Sequence, residues 1–190
     1  MRLFALEHDE KDHRADVALY SVAAAALTGY LLWFGHPARL SEIVALVMLG
    51  LAGWTLMEYV LHRFVLHGLN PFHQWHAEHH KRPTALIFTP TIASATLIAT
   101  FVFLPALLEW NLPLACALTL GVVVGYLVYT LTHHATHHWP AHTPWLKRRK
   151  RWHALHHHHV DDPICFGVTT SLWDHVFGTA NRARSVRING

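Results

Sequence analysis

Residues 112–138 read LPLACALTLGVVVGYLVYTLTHHATHH. The stretch from Leu112 to Leu131 is apolar and has about the 20 residues that a helix needs to cross a bilayer. Four histidines follow directly after it. Ionisable side chains at a membrane span are kept where they line a cavity or perform chemistry. This stretch therefore predicts a membrane helix that ends in a functional site.

Three further apolar stretches have the same character and run from about Val17 to Phe34, Ile43 to Leu61, and Ala85 to Leu108. Only 14% of the residues are charged, compared with about 25% in an average soluble domain. The sequence thus predicts an all-α integral membrane protein with four spans. We expect residues 1–190 to form a single domain.

The basic residues predict the orientation of the spans. The loop 35–42 and the loop 109–113 are short, so the spans form two helical hairpins, and of the 15 Lys and Arg only Arg39 lies in these loops. Positive residues concentrate on the cytoplasmic side. We therefore expect both termini and the histidine clusters in the cytoplasm. The run KRRKR at 147–151 is expected to contact anionic lipid headgroups, not nucleic acid.

The chain contains 20 histidines, and the most prominent form four boxes beside the predicted spans. The boxes are HRFVLH (His62, His67), HAEHH (His76, His79, His80), HHATHH (His133, His134, His137, His138) and HALHH (His153, His156, His157). Residues three and four apart share a helical face. The three histidines of HAEHH and those of HALHH are therefore each expected to point at one spot.

The first box is different, because residues five apart lie about 140° apart on an ideal α-helix. Either the helix ends between His62 and His67, or the two imidazoles serve different metals. His73 is a further candidate ligand beside the second box, although we expect it to support the ligands without binding the metal itself. The carboxylates near the boxes are Glu58 and Glu78.

About ten convergent imidazoles exceed the coordination sphere of one ion, since zinc takes four ligands and octahedral metals take six. We therefore predict two metal ions held by imidazole in a cytoplasmic helical cap. With only Cys116 and Cys165, a cysteine-based site is excluded. Imidazole suits several metals, but no hydrolase motif accompanies the boxes. Iron is preferred, with zinc as an ion that the isolated protein could hold.

The order H-x4-H, H-x2-HH, H-x3-H and H-x2-HH resembles the fatty acid hydroxylase and sterol desaturase superfamily of membrane diiron enzymes. The resemblance extends through EYVLHRFVLHG, HAEHHKRP, YTLTHHATHH and WHALHHHHVDDPICFGVTTSLWDHVFGT, from Glu58 to Thr179. The tail FGVTTSLWDHVFGT and the first box resemble the fatty acid 2-hydroxylases most. The resemblance implies an oxidoreductase that hydroxylates an unactivated C–H bond of a lipid, with dioxygen and external electrons.

The resemblance also implies the ligand set. In the 2-hydroxylase branch a tyrosine stands four residues before the third box, which fits Tyr129 and favours His133 and His137 over His134 and His138. The implied metal ligands are His62, His67, His76, His79, His80, His133, His137, His153, His156 and His157.

Two departures bear on substrate and electron supply. Eukaryotic relatives often carry a fused cytochrome b5 domain, for which this sequence has no room, so we expect a separate cytochrome b5-like or ferredoxin-type donor. The short interval between His67 and His76 is closer to carotenoid hydroxylases. Sterol or carotenoid oxidation and lipid desaturation are therefore alternatives. A histidine-rich metal transporter is a distant one, because transporter ligands should lie near the midplane of the spans, and a non-catalytic scaffold is another.

Overall fold

The computed structural model describes residues 7–159 and 162–180, and this part of the chain is helical. The elements are α1 (Glu10–Phe34), a 3-10 turn (Pro37–Arg39), α2 (Leu40–Val60) with a π-helical turn (Leu61–Leu66), α3 (Phe72–Lys81), α4 (Thr91–Ile98) with a π-helical turn (Ala99–Phe103), α5 (Leu104–Glu109), α6 (Leu112–His138), α7 (Pro144–His158) and α8 (Leu172–Val176).

Within the described residues, four helical segments are long and apolar enough to cross a membrane: Glu10–Phe34, Pro37–Leu66, Thr91–Glu109 and Leu112–His138. This agrees with the four spans expected from the sequence. Two of these helices continue beyond their apolar stretch into polar sequence: α1 at its N-terminal end and α6 at its C-terminal end. The first begins at Glu10 because Asp9 caps it, its side chain accepting a hydrogen bond from the Asp12 amide at 2.9 Å.

The third apolar segment becomes helical later than the sequence indicates. Its apolar stretch begins at Ala85, whereas the helix begins at Thr91, and residues 82–90 contain turns and extended backbone. Pro90 explains the boundary, because the residue before a proline is biased away from helix and a proline favours the start of one. The helical part still covers 19 residues, Thr91–Glu109.

The chain divides into two compact units, of which the first comprises Met1–Trp54 and Phe88–Val128. Its core contains the apolar side chains Leu31, Ile43, Leu114, Cys116, Ala117 and Leu120. Here α2 and α6 approach closely at two glycines. A Cβ on Gly50 would lie 2.2 Å from the Leu118 carbonyl oxygen, and one on Gly121 would lie 2.1 Å from that of Val47. Small residues permit such backbone contact between membrane helices.

The first unit also contains a buried polar network. Thr91 donates to Asp16 at 2.6 Å, and the Tyr20 hydroxyl lies 2.7 Å from the Ser94 hydroxyl. Asp16 is fully buried. In an apolar interior these hydrogen bonds offset part of the cost of burying polar groups.

The second unit comprises Thr55–Ile87 and Tyr129–Gly190. It contains the end of α2 with its π-helical turn, α3, the end of α6, α7 and α8. All four histidine boxes therefore lie within this one unit. Thr143 caps α7 by accepting from the Leu146 amide at 3.2 Å, and Pro144 occupies the first helical position.

Candidate metal centre

The ten histidines selected from the sequence lie in two groups of five, and within each group the ligand-capable nitrogens are within 4.8 Å of one another. The first group contains His62, His67, His76, His80 and His156. The second group contains His79, His133, His137, His153 and His157. Each group is a convergent set of imidazoles.

The expectation that each H-x2-HH box points at one spot is wrong. In α3, His76 and His80 belong to the first group and His79 to the second. In α7, His153 and His157 belong to the second group and His156 to the first. Residues four apart stay together because they lie about 40° apart around a helix, and the residue between them in the box faces the other group. Each of these helices therefore contributes to both groups.

The first box brings both of its histidines into the first group, although they are five residues apart. The reason is the π-helical turn Leu61–Leu66, which contains His62 and ends directly before His67. A π-helix has hydrogen bonds from i to i+5, so residues five apart lie above one another. Their ring centroids are 5.4 Å apart. The helix does end at Leu66, between the two histidines, as one alternative from the sequence stated, but its last turn is π-helical. The other alternative, histidines that serve different metals, is not what the grouping gives.

Two histidines of the first group are oriented by the loop before α8. His62 donates its Nδ1–H to the Phe166 carbonyl at 2.6 Å, and His156 donates its Nδ1–H to the Ile164 carbonyl at 2.8 Å. A carbonyl can only accept, so Nδ1 must carry the proton in each ring. In the neutral imidazole, Nε2 then presents a lone pair toward the group.

Ring nitrogens converge in both groups. In the first, Nε2 of His76 lies 3.0 Å from Nε2 of both His62 and His80. In the second, Nε2 of His153 lies 2.8 Å from that of His137 and 3.1 Å from that of His157. Ligands about 2.1 Å from an ion lie roughly 3.0 Å apart at adjacent octahedral corners. These spacings fit imidazoles that share a cation.

Buried nitrogens without partners support the same fit. Within residues 7–159 and 162–180, both ring nitrogens of His79 and Nδ1 of His153 are buried and form no hydrogen bond. A buried polar atom left unpaired costs about 1–3 kcal/mol. A bound cation would satisfy a lone pair of His79, so the donor set suits a metal that prefers nitrogen ligands.

The imidazoles outside the spans resist protonation. Burial lowers the pKa of His67 and His80 to about 4 and that of His79 and His157 to about 3. Burial first, and neighbouring histidines second, also lower the pKa of His76, His153 and His156. At neutral pH these rings are uncharged, which is the form that binds metal.

Several histidines lie outside both groups. His134 and His138 stack on each other with centroids 4.4 Å apart, and His73 and His158 are exposed. His159 instead donates its Nδ1–H to the Leu155 carbonyl at 2.9 Å. Of the two pairs in the third box, the structure thus places His133 and His137 with the other candidates. Tyr129 stacks on His133 with an interplanar angle of 5°.

Two buried carboxylates organise the loop that orients the first group. Glu58 accepts from the amides of Val168 and Thr169, and Asp174 accepts from those of Phe166 and Gly167. The sequence indicated Glu58 only as a carboxylate near the boxes, and Asp174 was missed. Asp174 could have been recognised because it is the only acidic residue in the mostly apolar segment SLWDHVFG. A carboxylate buried in such a segment needs several hydrogen bonds.

Comparison with known proteins identifies the family. The family model described as fatty acid hydroxylase matches residues 47–179, which include all four boxes and the loop with its two carboxylates. The chain belongs to the fatty acid hydroxylase family. The resemblance inferred from the box order is thereby confirmed.

Curated relatives and one solved structure agree. This chain is 39% identical over 165 residues to dihydroceramide fatty acyl 2-hydroxylase FAH1 of Arabidopsis thaliana, covering 78% of this chain and 65% of the relative. It is 33% identical over 154 residues to the fatty acid 2-hydroxylase of Rattus norvegicus, covering 73% and 40%. The structure of full-length Scs7p, of which only the hydroxylase domain is visible, matches with a TM-score of 0.72 and 28% identity.

This family member spans less than two thirds of those proteins. The match with Scs7p covers 86% of this chain and 64% of that one, and the matches with the plant and rat enzymes cover 65% and 40% of their lengths. The similarity therefore extends over most of this chain but only part of each relative.

Proposed function

We propose that this chain is a membrane-bound oxygenase that hydroxylates an unactivated C–H bond of a lipid. The observation that carries the proposal is the pair of five-histidine groups in a chain of the fatty acid hydroxylase family. The whole chain works as one fatty acid hydroxylase-like domain, an oxidoreductase that uses dioxygen and external electrons.

The two groups would each hold one metal ion, for which iron is the functional choice. Iron held by these histidines would supply the redox chemistry that a C–H hydroxylation with dioxygen requires. Nitrogen ligands suit iron, zinc and other first-row ions, so zinc can occupy the same sites in isolated protein. The convergent ring nitrogens and the unpaired nitrogens of His79 support this assignment.

The surrounding residues would keep the histidine ligands uncharged, orient their rings and bury several of them. Burial keeps the imidazoles outside the spans unprotonated at neutral pH. The loop carbonyls of Ile164 and Phe166 fix the tautomers of His156 and His62. His79, His153 and His156 are at most 3% exposed. The burial of these three side chains would limit the access of bulk water to a bound metal.

A fatty acyl chain is the proposed substrate, with hydroxylation at carbon 2. The names of the relatives support it, since the plant protein is a dihydroceramide fatty acyl 2-hydroxylase and the rat protein a fatty acid 2-hydroxylase. Four apolar helices give the chain access to lipid. Sterol or carotenoid oxidation and desaturation would need only a different substrate or a second hydrogen removed, and the same experiment distinguishes them.

We further propose that a separate cytochrome b5-like or ferredoxin-type protein supplies the electrons. Both termini and the histidine groups face the cytoplasm in this proposal, which rests on the distribution of Lys and Arg. Reporter fusions at Met1 and Gly190 test it. A signal from the opposite compartment at either end contradicts the orientation.

The decisive experiment expresses the chain in a host that lacks lipid hydroxylases, together with a competent electron donor. Lipidomics should find fatty acyl chains heavier by one oxygen, with fragment ions that place it on carbon 2. The His153→Ala variant, which removes a ligand of the second group, is the control that should give no product. Oxygenated sterols or carotenoids, or acyl chains lighter by two hydrogens, would replace the proposed substrate or reaction. If expression of the wild-type protein leaves the lipids of the host unchanged, the proposal is contradicted.

A further inference from the structure

We propose that Glu58 and Asp174 are positioning residues that hold the loop Ile164–Thr169 so that it orients the first histidine group. The inference rests on the proposed metal-binding function and concerns how one of the two sites is built. Neither carboxylate belongs to a histidine group. Both are buried, with Glu58 4% exposed and Asp174 fully buried.

The backbone of the loop is hydrogen-bonded to both carboxylates. Four successive backbone amides, those of residues 166–169, donate to these two carboxylates at 2.7–3.0 Å. The Thr169 hydroxyl also donates to Glu58, and the Trp152 indole and Thr179 hydroxyl donate to Asp174. Hydrogen bonds from several donors to a buried carboxylate are the kind that offsets its desolvation.

Two carbonyls of the same loop accept hydrogen bonds from histidines of the first group. The Ile164 carbonyl accepts from His156 and the Phe166 carbonyl accepts from His62. Cys165, which lies between them, has a φ of 58°. Only a small share of non-glycine residues adopt that region. The surroundings must therefore impose this conformation, and the amides that Asp174 binds begin at the next residue.

The loop packs tightly against Asp174 at Gly167. A Cβ there would lie 1.9 Å from the Thr170 carbonyl oxygen and 2.9 Å from Asp174 Oδ2. The loop therefore tolerates no side chain where it meets the carboxylate. The loop, the two carboxylates and the two imidazoles form one continuous hydrogen-bonded assembly, and both of these imidazoles belong to the first group.

Ligand-orienting partners of this kind change metal affinity when removed, typically by about 10–100-fold. Loss of the loop geometry frees the His62 and His156 rings to rotate and to take the other tautomer. The second group has no ligand bound to this loop among the hydrogen bonds of the described residues. Its affinity should therefore change little.

The test is cobalt titration of the full chain in detergent, followed by absorption and elemental analysis. Asp174→Asn is nearly isosteric, but its amide NH₂ must face an N–H donor in either orientation. Gly167→Ala displaces the loop without altering a ligand or a carboxylate. In each variant one of two ions should bind about 10–100-fold more weakly, with the other unchanged. Asp162→Asn is the matched control for the change from acid to amide, because Asp162 is exposed and lies two residues before the loop.

Glu58 is tested by a graded pair. Glu58→Ala leaves three donors unpaired and should weaken one ion as Asp174→Asn does. Glu58→Gln should be milder, since the Thr169 hydroxyl can rotate and accept from the new amide. Glu78→Ala is the control, as its carboxylate pairs with Arg82 at the surface.

Three results would overturn the inference: variants that bind both ions as the wild type does, variants that lose both ions in parallel, and controls that behave like the variants. If Asp174→Asn does not fold, Gly167→Ala and Thr169→Val, which removes only one hydroxyl, decide the matter. Failure of the proposed function is distinguishable, because wild-type protein that binds fewer than two ions contradicts it before any variant is compared.

Discussion

The two histidine groups share α3 and α7 but are supported in different ways. In the first group, His62 and His156 are oriented by backbone carbonyls of a loop fixed by two buried carboxylates. In the second, Nδ1 of His153 and both nitrogens of His79 form no hydrogen bond in the part of the chain described. One group depends on a loop and the other on helix packing, so each should respond to different perturbations.

We expect the largest loss of product and metal when a ligand of the first group is removed. His156→Ala should abolish product and lose metal, because His156 is fully buried and converges with four other imidazoles. His158→Ala, two residues along the same helix and exposed, should retain most of both. Lipidomics and elemental analysis measure the two effects. Equal behaviour of the two variants would refute the assignment of ligands in α7.

The second prediction separates the groups by metal count. His80→Ala and His137→Ala remove one ligand from the first and the second group, respectively. Each should reduce bound metal from about two ions per chain to about one. The double variant should bind almost none, since losses at independent sites add. A single variant that loses both ions would show that the groups are one site.

Sequence predicted the helical class, the four spans and the ten histidines that the structure brings together. It did not predict how these histidines divide between the two groups. The helical period places residues i, i+3 and i+4 on one face, but His79 and His156 each belong to a different group from the other histidines of their own box. Nor did it predict the pairing of His62 with His67, since a π-helical turn leaves no distinct mark in composition. Asp174 acts through backbone amides, which no spacing pattern reveals.

A third prediction concerns the stability of the protein at low pH, to which both histidine groups should contribute in the same direction. An unfolded histidine titrates near 6.5, whereas burial lowers the folded pKa of His67 to about 4 and of His157 to about 3. Between these values the unfolded state binds more protons, so stability falls as pH decreases below about 6.5. The melting temperature of metal-free protein in detergent, measured from pH 7.5 to 4.5, should therefore decrease. A constant melting temperature would contradict the burial of these imidazoles.

The smallest effect is expected at Tyr129, whose ring stacks on His133 of the second group. Tyr129→Phe preserves the stacked ring and should leave metal content and product close to wild type. Tyr129→Ala removes the ring and should weaken one ion by a few-fold, because His133 gains rotational freedom. Cobalt titration compares the two. A loss as large in the Phe variant as in the Ala variant would assign the effect to the hydroxyl instead.

The division of each H-x2-HH box between two groups determines where the sequence tolerates insertions. Because α3 and α7 both contribute to each group, the separation of the groups is fixed by the rise and rotation of a helix. Connecting segments such as 139–143 could lengthen without changing that separation. One residue added inside a box would rotate every later histidine by about 100°. The spacing within a box therefore fixes the distance between the two groups, whereas the length of the segments that connect the boxes does not.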